Sequence, residues 1–75
     1  MILKFMFKGA WNENVATNRG YAENHFLVVD PETRTFKYWV NAWEGDDTFI
    51  KVKKNDLLRI MSAAEHDGYA LKIGG

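Results

Sequence analysis

Few side chains in this 75-residue chain are of the types that make and break covalent bonds, and their spacing does not favour it. Cysteine is absent, which removes a thiolate nucleophile, a disulfide staple and a thiolate metal site together. Ser62 lies among alanines in Met61-Ser62-Ala63-Ala64, without the glycines of a nucleophile elbow. His25 and His66 are far apart and lack metal spacings such as His-Glu-x-x-His. His25 reads as a core-edge histidine, and His66-Asp67 as the end of a helix. The acidic stretch Glu44-Gly45-Asp46-Asp47 departs from the calcium-loop pattern and reads as a solvated turn. The expectation is a non-enzymatic protein with no catalytic residue, metal site or cofactor.

Recognition chemistry is better represented. Residues 35–43, TFKYWVNAW, carry Phe36, Tyr38, Trp39 and Trp43 with Lys37 between them. A strand points alternate side chains to opposite faces, so Tyr38 and Trp39 cannot share one. One of the two rings therefore belongs to a core, and the other needs a different explanation.

The elements that position these rings follow from pattern. Ile2, Lys4, Met6 and Lys8 alternate with Leu3, Phe5 and Phe7, a strand period. The two lysines also interrupt any apolar leader, so no signal segment is expected, and no stretch nears the roughly 20 apolar residues of a membrane span. Residues 9–24, rich in Asn and Gly, read as a long connection, with Asn12 or Asn14 able to cap a short turn and Trp11 and Tyr21 pinning its ends. HFLVVDPETRTFKYWV is a hairpin: Pro31 suits the second position of a type I turn, and Asp30 can accept from the turn backbone. Pairing Asp30 with Thr35 sets Val29 against Phe36, Leu27 against Tyr38 and His25 against Val40. On the other side it sets Val28 against Lys37, Phe26 against Trp39 and Asn24 against Asn41. A third run, 48–54, is expected to continue the meander. Asn55 then caps a helix whose Leu57, Ile60, Met61 and Ala64 form one stripe, ended by Gly68, and residues 69–73 close the sheet with Tyr69, Leu71 and Ile73 inward.

The predicted fold is therefore α+β: one compact domain over residues 1–75, a small single-layer, mainly antiparallel sheet of 4–5 strands with one helix (about 55–67) on one face, in the order β-loop-βββ-α-β. One helix covers one face, here assigned Leu3, Phe5, Phe7, Leu27, Val29, Phe36, Tyr38, Ile50, Val52, Leu71 and Ile73. The opposite face collects Met6, Phe26, Val28, Trp39 and Phe49, with Lys4, Lys8, Lys37, Lys51, Lys53 and Lys72 among them. Trp39 is then the ring left without a core, with little expected above it.

Composition limits what such a face binds. The chain is 47% hydrophobic and 15% aromatic, enough for a core without staples. Ten basic and ten acidic residues cancel, which argues against a domain living on phosphate contacts. The leading expectation is an interaction module, a regulator or inhibitor of a larger protein or a homodimer, binding through Phe26, Trp39, Phe49 and Trp43 with Lys37, Lys51 and Lys53. The alternative is a single-stranded nucleic-acid-binding module using the same face, with Phe26, Trp39 and Phe49 stacking on bases and Lys37, Lys51 and Lys53 on phosphates. A cytoplasmic location, with no membrane partner, is expected.

Overall fold

The computed structural model describes residues 1–14, 19–41 and 47–72, with residues 10–14 and 19–22 described by their backbone alone. Among the described residues there are five strands and one helix: β1 (Leu3–Asn14), β2 (Arg19–Asp30), β3 (Thr35–Asn41), β4 (Ile50–Lys51), α1 (Lys54–His66) and β5 (Ala70–Leu71). They form one mixed sheet in the order β4-β1-β2-β3-β5. The element order and the helix are those that the sequence predicts.

The β2–β3 hairpin has the expected register at every pair, from Asp30↔Thr35 to Asn24↔Asn41. The turn explains why. Asp30 Oδ1 accepts from the amides of Glu32 (3.0 Å) and Thr33 (3.4 Å), and Arg34 takes the left-handed φ of 53° that closes the loop. Arg34 also donates from its guanidinium to the carbonyl of Asp67 and lies 5.2 Å over the Tyr69 ring, tying the hairpin to the end of α1. There Gly68 (φ 85°) and Tyr69 complete a Schellman cap, their amides bonding the carbonyls of Glu65 (3.1 Å) and Ala64 (2.9 Å).

Four expectations are corrected. Residues 9–14 and 19–24 are strand and not part of a long connection, residues 15–18 lying outside the described residues: β1 and β2 extend into an antiparallel ribbon out to Asn14↔Arg19. Its base is a register shift between Lys8 and Trp11, where a side chain on Gly9 would meet the Glu23 carbonyl oxygen at 1.7 Å, so only glycine admits this approach. The side chains of Trp11 and Tyr21 lie outside the described residues. The run after residue 48 does not continue the meander: β4 crosses to the far edge and pairs parallel with β1, Phe5↔Ile50 and Met6↔Lys51. The helix is not capped by Asn55, because it starts one residue earlier and its N-cap, Lys53, makes no side-chain capping bond. Finally, Ile50 and Leu71 are exposed rather than core, because β4 and β5 are two-residue edge strands that α1 does not cover. Ile73 is outside the described residues.

β5 pairs parallel with β3 at the opposite edge from β4, so α1 carries the chain across the sheet between two strands running the same way. It buries Leu57 and Ala64 against Leu27, Val29 and Phe36, with Leu3, Phe5, Phe7, Tyr38, Val52, Ile60 and Met61 packed around them. No helix among the described residues is long and apolar enough to cross a membrane.

Candidate interaction face

The face opposite α1 is laid out in rows by strand pairing. One row reads Trp39, Phe26, Met6, Lys51; the next reads Lys37, Val28, Lys4. Residues two apart share a face, so Thr35 and Asp30 form a third row beside them. The pattern expected for Trp39 and Phe26 is therefore present, but the rings are not equally available.

Phe26 is 1% exposed and Met6 0%. The Trp39 ring lies on Phe26, with centroids 5.3 Å apart and planes at 17°. Phe49, just before β4, meets both edge-on, at 5.2 Å and 70° to Phe26 and 6.2 Å and 81° to Trp39. Lys4 holds this corner down: its ammonium lies 5.2 Å over the Phe49 ring and donates to Thr48 Oγ1 at 3.1 Å. Met6, Phe26 and Phe49 thus form a second small core, with Val28 and Trp39 half-buried against it. Sequence reasoning placed these residues on the right face and missed that Phe26 and Phe49 are buried, because Phe49 reaches them from the chain leading to β4.

At the ribbon end of the same face Asn24 is fully buried. Its Oδ1 accepts from the Gly9 amide (3.2 Å), which fixes the register shift, while its Nδ2 has no partner among the described residues. Leaving a buried donor unpaired costs about 1–3 kcal/mol.

Beside Trp39 the face opens into a groove of about 200 Å³ lined by Ile2, Val28, Asp30, Thr35, Lys37 and Trp39, with Lys72 at its rim. Lys72 reaches it because its amide bonds the Phe36 carbonyl (2.7 Å), continuing the β3–β5 pairing beside Lys37. Neither Lys37 nor Lys72 has an ion pair among the described residues. Burial works to raise the Asp30 pKa, but bonds from the Thr33 hydroxyl and the Thr33 and Glu32 amides, with the N-terminal ammonium, outweigh it and hold the carboxyl below its ordinary value.

The other residues singled out by sequence are dispersed. Lys51 lies on β4, three strands from Trp39 and so roughly 14 Å away. Lys53 precedes α1, and Trp43 lies outside the described residues. Ile2, Asp30 and Thr35 complete the groove without having been singled out as site residues; Ile2 continues the alternation of β1, which was the available signal. On the α1 face, His25 stacks on Tyr38 and meets Phe7 at a tilt, and its Nδ1 shares a 2.5 Å hydrogen bond with the Tyr38 hydroxyl, so it is a partnered core-edge histidine. Burial raises the Tyr38 pKa. Compared with protein-family models, curated proteins and solved structures, the chain finds no match.

Proposed function

We propose that this protein is a non-enzymatic interaction module that binds another protein through the sheet face opposite α1, with Trp39 as its anchor, and that it acts in the cytoplasm, in keeping with its cysteine-free composition. The observation that carries this reading is the unequal burial of the rings. Trp39 alone among Phe26, Trp39 and Phe49 is only half-buried, and it sits on a rigid stacked base beside an open groove. A single pre-oriented ring with apolar and cationic neighbours has the anatomy of a protein-binding hot spot, where one Trp in a small pocket dominates the energy. Single-stranded nucleic acid needs successive rings for successive bases. Two of the three rings proposed for that platform are buried, and ten acids balance ten bases, so the nucleic-acid reading is the weaker one.

The test is a photo-crosslinking side chain placed at Ile2, which is exposed and lines the groove, and separately at Ser62, exposed on α1. In the native cell, position 2 is expected to yield discrete protein adducts that position 62 does not. Nucleic-acid adducts from position 2, or the same adducts from both positions, would contradict the proposal.

A further inference from the structure

We infer that the groove beside Trp39 receives an acidic segment of the partner protein, with one apolar side chain seated against Val28 and Trp39 and a carboxylate held by Lys37 and Lys72. This rests on the reading of the face as a protein-binding surface and adds the chemistry of what is bound.

Size is the first argument. At about 200 Å³ the groove falls below the roughly 300–1,000 Å³ of sites that enclose small-molecule ligands, and it accommodates one anchoring side chain. Charge is the second. Lys37 and Lys72 stand side by side where β5 joins β3, and neither is paired within the described residues, whereas Lys4 is already committed to Thr48 and Phe49. Two ammonium groups without an ion pair among the described residues, bordering an apolar floor, complement an anion attached to an apolar group, and such complementarity selects the partner and speeds its encounter. Polarity is the third. Asp30, ionised and bound to its own turn, lies at the end of the groove formed with Thr35 and Ile2. It repels a carboxylate there, so the anion is confined to the Lys37–Lys72 side. In a two-fold contact a second copy presents this same face, whose acid lining the groove, Asp30, is engaged by its own turn, so it supplies no acidic segment there.

The test is an NMR titration of the ¹⁵N-labelled full chain, following the Trp39 indole and the amides of Val28, Thr35, Lys37 and Lys72. The probes are four: blocked pentapeptides Asp-Asp-Phe-Asp-Asp, Asp-Asp-Ala-Asp-Asp and Lys-Lys-Phe-Lys-Lys, and a single-stranded oligothymidylate. The first is expected to shift these signals saturably. Lys37→Glu, Lys72→Glu or the Phe-to-Ala peptide should each weaken binding about tenfold or more, and the lysine peptide should leave the groove unperturbed. Melting curves of the two variants serve as a folding control, and both positions lie at the surface. If the lysine peptide shifts the same signals as strongly, the acidic-partner inference falls and the protein-binding reading stands. If the oligothymidylate does so in preference to every peptide, both fall in favour of nucleic acid. If no probe perturbs the groove, the inference is overturned, while crosslinking at Ile2 decides the broader reading independently.

Discussion

The two faces of this sheet bury apolar residues by different means. On one, α1 supplies a whole stripe, and Leu27 and Leu57 disappear beneath a layer of secondary structure. On the other no helix lies among the described residues, yet Met6 and Phe26 are as completely buried, beneath Phe49 and a stacked Trp39. A stacked pair of rings with a third set edge-on does locally what the helix does along its length. They leave the rest of their face open, so the groove lies beside the small core and not beneath it. Under the proposed function this packing would also be preparation, because a Trp39 ring already seated on Phe26 lowers the ordering cost of binding.

The sharpest way to break this comparison is to cut both cores and compare. Leu57→Ala is expected to cost about 2–5 kcal/mol and Phe26→Ala about 3–5 kcal/mol, read by denaturant unfolding. Equal or greater loss on the Phe26 side means the helix-free face is a true core. A Phe26→Ala protein that melts like wild type would show that it is not.

A smaller effect separates support from recognition. Trp39→Ala removes a half-buried ring and uncovers Phe26, so it is expected to cost about 2 kcal/mol of stability as well as weakening binding. Trp39→Phe should restore most of the stability but less of the binding. Identical recovery of both would make the ring purely structural.

The smallest expected effect lies at the turn that sets the register. Asp30 titrates below its ordinary value of 3.8 in the folded chain, so its contribution is present above that value and is lost as the pH falls through the lowered one. Melting temperature should therefore drop for wild type below about pH 4, and the drop should be shallower for Asp30→Ala. Parallel curves would remove Asp30 from the account.

Much of this arrangement was legible in the sequence. Pro31 and Asp30 fix the hairpin loop, the loop fixes the pairing, and the pairing places Phe26 with Trp39 on the side away from the helix. The Leu57–Ala64 stripe and Gly68 were equally plain, because helical spacing and a left-handed cap are local signals. Topology was not local. Nothing within residues 48–54 states that they pair with β1 rather than β3, and that choice decides whether Phe49 is a strand residue facing solvent or a lid over Phe26. The ribbon was missed because, from Gly9 and Glu23 outward, it has no third strand beside it among the described residues, so it carries few of the alternating aliphatics that mark a packed strand. Lys37 and Lys72 come together only through the parallel β3–β5 pairing, which the sequence left open against an antiparallel return.

The central claim, that the groove beside Trp39 is the recognition site and that its lysines select the partner, is tested most directly by matched charge reversals. With the crosslinker at Ile2, the yield of the protein adduct is compared between Lys37→Glu/Lys72→Glu and Lys53→Glu/Lys54→Glu, which carry the same change in charge, the latter at exposed residues where α1 begins. The account predicts that the first pair abolishes the adduct and the second leaves it near the wild-type yield. Equal loss from both pairs, or persistence of the adduct in the first, would contradict it.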